Sequence, residues 1–361
     1  MAVCAIVADD LTGACDSAVH FAAAGLRTVV PLVADSCEGE AEVVAFSTES
    51  RDIAREDIPC RLRRVADRVR ALDPRVIFKK IDSTLRGNTA LEVIAAVEAF
   101  GCEAVVINPA FPAMGRVVRA GCLRVGADPA FQPIEIAAWL REHGAGVCRH
   151  VASGEIAAAI EEGARFVSLD AVVHDDLARI VEEVFGASKR ILWAGSAGLA
   201  AELAMRVGGV GPSAVAQRCS GPVLFCIGSD HPVTIEQQRR LVARRGVEVL
   251  EARSTTAREL SLALRRDVVL RVPRGVVDGV SLARVLRDCR PAALFLSGGD
   301  TASLVCQAIE AEAIELHREF GPGIPLGTLR GGAFDGITVV TKSGGFGGPD
   351  DLIEMANYFH A

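Results

Sequence analysis

The segment from Ile77 to Asn88 has the densest group of side chains that could bind a charged ligand; it reads IFKKIDSTLRGN. Seven polar or charged residues fall within ten positions, directly after a short apolar run and before a helix-forming stretch at 90–100. In open α/β sheets, ligands bind at the carboxyl ends of the strands, where loops carry the functional groups. A solvated turn is the alternative, but a helix cap needs only one polar residue. The segment therefore predicts a ligand site.

An acidic pair, Asp9 and Asp10, follows the first apolar run (3–8) and precedes an Ala-rich helix. One carboxylate at this position can cap the helix N-terminus, which leaves the second for a ligand. Asp82 also stands at the end of a predicted strand, so that the three carboxylates predict an acidic cluster. Such a cluster can deprotonate a hydroxyl group or hold a magnesium ion.

Basic side chains accompany these carboxylates. Lys80 and Arg86 flank Asp82, and Arg116 lies on another loop that follows a predicted strand. Arginine binds carboxylate groups through two parallel hydrogen bonds. Two arginines and an aspartate suit a small polyhydroxy acid, with the arginines on its carboxylate and Asp and Asn side chains on its hydroxyls. Internal ion pairs are the alternative interpretation.

Three Gly-rich loops follow predicted strands in the C-terminal part of the chain, at Ile227–Asp230, Ser297–Thr301 and Lys342–Gly348. Glycine lets backbone N–H groups approach a phosphate, and a helix N-terminus favours its negative charge. One such loop would be weak evidence, but three favour a nucleotide phosphate site. The chain has no GK dipeptide and no GxGxxG, so the site is predicted to be of a non-Walker type.

Strand-like and helix-like segments alternate along most of the chain, which predicts an α/β protein. The expected architecture is two domains, each with a largely parallel sheet flanked by helices, and a ligand cleft between them. The Gly-rich stretch 208–221 is the predicted linker between an N-terminal domain (1–207) and a C-terminal domain (222–361). The length of 361 residues and the hydrophobic fraction of 50% suffice for two cores.

Composition excludes several classes of protein. The net charge is −7 and charges of both signs are interspersed, while aromatic residues make up 5%, so that no nucleic-acid partner is predicted. The eleven cysteines form no CxxC pair, which is typical of reduced thiols in the cytoplasm. No signal peptide is predicted, and no apolar run reaches the roughly 18 residues that span a membrane. A homo-oligomer remains open.

Seven motifs resemble those of the four-carbon acid sugar kinases, and they occur in the order of that family along the whole chain. They are ADDLTGACD (8–16), KKIDSTLRGN (79–88), NPAFPAMGR (108–116), AGSAGLA (194–200), GSDHPVTIEQ (228–237), SGGDTA (297–302) and KSGGFG (342–347). The resemblance implies a sugar-acid-binding N-terminal domain and an ATP-binding C-terminal domain. It also implies phosphorylation of the terminal (C4) hydroxyl of threonate, erythronate or 3-oxo-tetronate.

The motifs and the strand-end positions together give the predicted site. The acid-binding residues are Asp9, Arg86, Asn88, Asn108 and Arg116; the catalytic residues are Asp10, Lys80 and Asp82; the ATP-binding residues are Ser229, Gly298, Gly299, Asp300, Thr301, Lys342, Gly344 and Gly345. No metal ligand is assigned, although Mg²⁺ is expected to accompany ATP.

The predicted mechanism is transfer of the γ-phosphoryl group in line to the terminal hydroxyl. Asp82 or Asp10 would orient or deprotonate that hydroxyl, and Lys80 or Lys342 would stabilise charge on the transferred group. Two alternatives remain at this stage: a kinase for another small hydroxy acid, and a non-catalytic sensor that binds a sugar acid and a nucleotide.

Overall fold

The structure is a computed structural model that describes residues 2–33, 41–126, 128, 130–187, 189–208 and 220–360. Its strands are β1 Cys4–Ala8, β2 Thr28–Pro31, β3 Val43–Ser47, β4 Val76–Lys80, β5 Ala104–Asn108, β6 Arg116–Arg119, β7 Cys122–Val125, β8 Ile134–Glu135, β9 Cys148–Val151, β10 Phe166–Leu169, β11 Ile191–Gly195, β12 Val223–Ile227, β13 Glu248–Glu251, β14 Val268–Arg271, β15 Ala293–Ser297, β16 Ala313–Gly321, β17 Ile324–Arg330 and β18 Thr338–Lys342. Its α-helices are α1 Leu11–Ala23, α2 Ile58–Leu72, α3 Thr89–Ala99, α4 Ile136–Glu142, α5 Ile156–Glu161, α6 His174–Val184, α7 Ala197–Val207, α8 Pro232–Arg245, α9 Ala257–Ala263, α10 Gly279–Leu286, α11 Gly299–Ala308 and α12 Asp351–His360.

The chain forms two compact units, Met1–Ala24 with Glu42–Val210 and Gly25–Ala41 with Gly211–Ala361. We call them the N-terminal unit and the C-terminal unit. The boundary drawn from the sequence leaves residues 25–41 in the first domain, whereas β2 pairs antiparallel with β16 of the C-terminal unit. A four-residue apolar strand carries no local signal for which sheet it joins. Residues 209–219 of the predicted linker lie outside the described residues.

The N-terminal unit is built around a parallel sheet with the strand order β3-β1-β4-β11-β5-β10-β9. All five residues of β1 and of β5 are buried, as expected for apolar strands that helices cover on both faces. α1 packs against α7, and α2 packs against α3. This unit confirms the predicted α/β class with a largely parallel sheet.

A small antiparallel sheet of β6, β7 and β8 also belongs to the N-terminal unit. The local sequence of this region favours a helix at 134–142 and gives no clear signal for the strands. The β6–β7 hairpin turns at Ala120 and Gly121, whose φ angles are 49° and 74°. Two consecutive positive φ angles are typical of a type I′ turn, which usually has the sequence Asn-Gly. Because alanine and not asparagine occupies the first position, the sequence does not predict this hairpin.

The C-terminal unit contains the strand order β13-β14-β12-β15-β18-β17-β16-β2. The first five strands are parallel to one another. The last three are added through antiparallel pairs: β17 with β18, β16 with β17, and β2 with β16. The local sequence favours a helix over 301–312, but α11 ends at Ala308 and β16, for which the sequence gives no strand signal, begins at Ala313. β16 is rich in charged residues, and it is a strand because both β2 and β17 pair with it.

Apolar residues from the sheet, α8 and α12 fill one core of the C-terminal unit, and Phe225 and Phe295 of adjacent strands lie in it with ring centroids 5.4 Å apart. Seven of the nine cysteines within the described residues are buried. No helix in the described part of the chain is long and apolar enough to cross a membrane.

Candidate active site

In each unit, polar loops follow two adjacent strands, and from these two strands the chain continues to opposite sides of the sheet. In the N-terminal unit, β1 and β4 are neighbours; the chain that leaves β1 reaches β3 on one side, and the chain that leaves β4 reaches β5 on the other. In the C-terminal unit, β12 and β15 are neighbours, and their successors β13 and β16 likewise lie on opposite sides. Ligands of open α/β sheets bind in the crevice at such a switch point. Each unit therefore has one favoured ligand site.

Arg51 joins the two carboxylates that follow β1. Its Nε and Nη2 donate to the two oxygens of Asp9 at 2.7 and 2.9 Å, and its Nη1 pairs with Oδ2 of Asp10. Arg51 is not among the residues predicted from the sequence. It follows the apolar segment 43–46 by five positions, and only the pairing of β3 with β1 brings it to Asp9 and Asp10.

Asp10 is the stronger base of the acidic pair. Its Oδ1 accepts a 2.5 Å hydrogen bond from the main-chain N–H of Gly13 and so caps α1. Burial raises the pKa of Asp10, and the Asp9 carboxylate raises it further, while Arg51 and Lys80 oppose this only in part. Burial also acts to raise the pKa of Asp9, but the charges of Arg51 and two lysines outweigh it and hold that pKa below its ordinary value.

Asp82 is held as an anion by its neighbours. Nη2 and Nε of Arg86 donate to its carboxylate at 2.7 and 3.2 Å, and the Thr84 N–H and hydroxyl donate at 2.9 and 2.5 Å. Burial alone would raise the pKa of Asp82, but these hydrogen bonds and the charge of Arg86 lower it far below that of an ordinary carboxyl group. Asp82 is thus a weak base that fixes Arg86, whose side chain remains 68% exposed and accessible to a ligand.

Arg116 and Lys80 complete the charged cluster of the N-terminal unit. Burial lowers the pKa of Arg116, and the carboxylates of Asp82 and Asp16 act against this. Lys80 Nζ lies 3.8 Å from the Asp16 carboxylate on α1. The structure therefore brings together all the charged residues that the sequence predicted for this half of the site: Asp9, Asp10, Lys80, Asp82, Arg86 and Arg116.

The two predicted asparagines hold backbone segments in place. Asn88 Nδ2 donates to three carbonyls of the turn 50–53 at 3.0 to 3.3 Å, and it thereby fixes the turn that carries Arg51. Asn108 is fully buried; its amide donates to Leu169 O and accepts from the N–H of Ala110, both within the protein. The sequence assigned both residues to the ligand, but their amide groups are bonded to the backbone and position the loops instead.

Lys79 forms a buried ion pair behind the site. Its Nζ lies 2.8 Å from the Glu92 carboxylate, and the two side chains are 0% and 2% exposed. Lys79 also donates to Lys80 O at 2.9 Å, and the hydroxyl of Ser50 donates to Glu92. Since neither side chain of the pair is accessible to a ligand, the pair supports β4 and α3 rather than the chemistry.

We expect Lys79→Met to lower the free energy of unfolding by about 3–5 kcal/mol, because it leaves Glu92 charged and unpaired in the interior. Urea denaturation followed by circular dichroism measures this change. The double variant Lys79→Met/Glu92→Leu removes both charges and should recover most of the loss. A stable Lys79→Met variant that has lost catalytic activity would instead place Lys79 in the chemistry.

The three Gly-rich loops converge in the C-terminal unit. A Cβ atom on Gly344 would overlap Oγ of Ser229, and one on Gly228 would overlap Oγ1 of Thr301, so these loops approach at separations that only glycine permits. Gly298 precedes α11 with a φ of 102°, a conformation that L side chains rarely adopt. Glycines at the N-terminus of a helix beside a switch point are suited to bind phosphate.

The remaining predicted nucleotide residues surround these glycines. Gly299 and Asp300 begin α11, and buried Thr301 follows them. Asp300 pairs with Arg274 at 2.6 Å and is 53% exposed. Gly345 lies beside the imidazole of His231, the residue that caps α8.

The side chains present fit a magnesium ion that arrives with the nucleotide. Among the described residues, no group of three or more His, Cys, Asp and Glu side chains could hold a metal. Mg²⁺ is usually bound through one or two carboxylates and the substrate phosphates, not by an all-protein cage. Asp300 is the exposed carboxylate at the start of α11 and is the candidate ligand.

Lys342 lies behind its loop. Its side chain is fully buried, and its Nζ donates to the Thr234 hydroxyl and to carbonyls of the loop itself. The sequence assigned Lys342 to the nucleotide, whereas these bonds direct its ammonium group into the protein. Thr234 and Gln237, which the sequence analysis did not single out, also donate to carbonyls of this loop.

Comparison with known proteins identifies a domain type in each half of the chain. A family model described as a sugar-binding N-terminal domain matches residues 4–138, and one described as a nucleotide-binding C-terminal domain matches residues 279–352. A D-threonate kinase of Bordetella bronchiseptica is 35% identical, with 97% of this chain and 96% of the relative aligned. A D-erythronate kinase of Heliobacterium modesticaldum is 28% identical, with 98% and 96% aligned. A solved Haemophilus influenzae structure has the same fold (TM-score 0.72, 21% identity, 98% of each chain).

Proposed function

Because the chain belongs to the four-carbon acid sugar kinase family and is a phosphotransferase with an alcohol acceptor, we propose that it transfers the γ-phosphoryl group of ATP to the C4 hydroxyl of a four-carbon sugar acid. One observation supports this above all: each unit has a polar site at its switch point, and the two sites have complementary chemistry. Arginines and carboxylates in the N-terminal unit suit an acid with hydroxyl groups, while glycine loops in the C-terminal unit suit a polyphosphate.

Arg86 and Arg116 are the proposed ligands for the acid carboxylate. Arg86 uses one edge of its guanidinium on Asp82 and remains largely exposed, and Arg116 is half-buried beside it. Arg51 is bonded to Asp9 and Asp10, so its role is to orient these carboxylates. Asp9, fixed by Arg51, is the proposed acceptor for a hydroxyl group of the acid.

Asp10 is the proposed general base for the C4 hydroxyl. The sequence left Asp10 and Asp82 as alternatives, and their pKa values are shifted in opposite directions. A base works in its deprotonated form and is more effective when its pKa is higher, provided that it stays ionised at the working pH. Asp82 has a depressed pKa and is bonded to Arg86, so that it is suited to hold substrate-binding groups in position.

The nucleotide phosphates are proposed to lie on the loops of Ser229, Gly298 and Gly345, with the N-terminus of α11 directed at them. Magnesium bound to the phosphates would neutralise charge that develops on the transferred group. Lys80, close to Asp10 and largely buried, is the proposed cation on the acid side. Most of the catalysis would come from positioning and charge stabilisation, since phosphoryl transfer needs little covalent assistance.

D-Threonate is the first candidate substrate, because the relative with 35% identity is named for it. D-Erythronate is the second, since a more distant relative over nearly the same length carries that name. The cytoplasmic location and the domain boundary at 208–221, which were inferred from the sequence alone, stay predictions.

We expect ADP release with Mg²⁺-ATP to be far faster with one four-carbon acid than with any other acid of a panel. The panel is D-threonate, D-erythronate, L-threonate, L-erythronate, 3-oxo-tetronate and, as a three-carbon control, D-glycerate. A coupled assay for ADP measures the turnover, and ³¹P NMR of the product identifies the phosphorylated position. Highest turnover with D-glycerate would contradict the four-carbon assignment. Tight ATP binding by calorimetry with no turnover of any acid would favour the sensor.

A further inference from the structure

The ammonium group of Lys342 lies among the Gly-rich loops, and the residue has no exposed surface. Nζ donates to Thr234 Oγ1 at 2.9 Å and to the carbonyl oxygens of Ser343, Gly344 and Phe346 at 3.0, 3.2 and 3.2 Å. An ammonium group has three protons for these four acceptors, so all of its donor capacity is used inside the protein. A bound phosphate would therefore not be a direct hydrogen-bond partner of Lys342.

The same residue connects the second and third loops with the helix that follows the first loop. The carbonyl of Lys342 accepts a 3.0 Å hydrogen bond from Gly298 N, at the second loop. Its Nζ reaches Thr234 in the first turn of α8, the helix that follows the first loop, and Thr234 in turn donates to Gly344 O at 2.7 Å in the third. Removal of the ammonium group would thus loosen the contact between the loops and not only the loop that carries it.

The direction of the loop carbonyls determines the direction of the loop N–H groups. In a planar trans peptide, the C=O of one residue and the N–H of the next point to opposite sides. The carbonyls of residues 343, 344 and 346 point to Nζ, so the N–H groups of Gly344, Gly345 and Gly347 point away from it. Within the described part of the chain, these three N–H groups have no hydrogen-bond acceptor.

We propose that Lys342 is a positioning residue, whose buried charge gathers these carbonyls and thereby presents the N–H groups of Gly344, Gly345 and Gly347 to the nucleotide phosphates. This inference rests on the proposed function, because it assigns the outward face of the loop to ATP. It replaces the direct nucleotide contact that the sequence predicted for Lys342.

Nucleotide binding should depend on pH through the ionisation of Lys342. Burial lowers the pKa of Lys342 to about 8, and the carboxylate of Asp351 on α12 acts against this. His231 at the start of α8 is a further titratable group beside the loop. Above pH 8 the amine has only two protons to donate, so that the loop loses a hydrogen bond. Phosphates near the loop favour the charged form, so nucleotide binding should raise the pKa and take up a proton near pH 8.

Calorimetry of Mg²⁺-ATP binding at pH 8, in buffers that differ in ionisation enthalpy, measures this proton uptake directly. We expect uptake of a fraction of a proton by the wild-type chain and none by Lys342→Met. Lys342→Met should also raise KM for ATP by about tenfold or more at pH 7, with KM for the sugar acid unchanged. Lys342→Arg keeps a permanent charge, so it should recover part of the affinity and remove the pH dependence between pH 7 and 9.

The pH dependence of KM for ATP and the proton uptake of the wild-type chain test the proposal even if Lys342→Met does not fold. A wild-type KM for ATP that is constant from pH 7 to 9, together with no proton uptake, would overturn the proposal. The same result in a chain that is an active kinase leaves the proposed function intact. Absence of ATP binding at every pH would instead refute the nucleotide site itself. His231→Asn serves as a matched control, since Asn can still cap α8 and the proton uptake should persist.

Discussion

Asp10→Asn is expected to lower kcat by ~10²–10⁴-fold at neutral pH, because general-base catalysis contributes about this much and asparagine cannot accept the proton. The fold should be retained, since asparagine caps a helix about as well as aspartate does and can still accept from the Gly13 N–H. Steady-state kinetics with saturating ATP and acid measure the effect. KM for ATP should remain unchanged, because the nucleotide site belongs to the other unit.

Asp82→Asn is the matched control for the base. Its carboxylate is held by Arg86 and Thr84 and has a depressed pKa, so the substitution should release Arg86 and raise KM for the acid more than it lowers kcat. The opposite pattern, with kcat lost in Asp82→Asn and kept in Asp10→Asn, would transfer the role of base to Asp82.

The pH profile of the wild-type enzyme gives a second test of Asp10. The base is active when deprotonated, so activity falls as the pH decreases through its pKa. Burial raises that pKa, so the acid limb of kcat should lie above the value of about 3.9 that is ordinary for aspartate. The residual activity of Asp10→Asn should lack this limb.

Gly298→Val is expected to raise KM for ATP by ~10²-fold or more, because each lost charged hydrogen bond costs about 1.5–3 kcal/mol. Gly298 has a φ of 102°, and a β-branched residue there is strained by about 1–3 kcal/mol, which displaces the start of α11. Its γ-methyl groups would also enter the space where the backbone approaches a phosphate. KM for the acid should change little, and isothermal calorimetry with ATP provides an independent measure.

Gly246→Val is the control that distinguishes backbone strain from loss of the phosphate site. Gly246 has a φ of 62° at the end of α8, and no atom lies within 4 Å of the position that its Cβ would take. This variant should lose stability to a similar degree but retain its KM for ATP. An unchanged KM for ATP in Gly298→Val would show that the nucleotide binds elsewhere.

Local sequence signals were sufficient for the fold class and for the position of most polar loops. Apolar runs that end in Asp9-Asp10, in Lys80-Ile81-Asp82 and in Ser297-Gly298-Gly299 mark buried parallel strands and the loops at their carboxyl ends. Each signal extends over about ten residues, which is the range over which side-chain periodicity and loop composition act. The same signals could not identify the Ala-Gly hairpin at 120–121 or the charged strand β16, because both depend on pairing with distant segments.

The sequence by itself determined which residue types stand at the strand ends, and these residue types predict an anionic hydroxy acid and a phosphate as ligands. The tertiary structure decided which partners each of these residues has and how deeply it is buried. It brought Arg51 to Asp9 and Asp10, paired Lys79 with Glu92, and bonded Asn88, Asn108 and Lys342 to the backbone. The physical reason is that a role depends on burial and on partners up to about a hundred residues away: the pKa values of Asp10 and Asp82 diverge because burial dominates one and ion pairing the other.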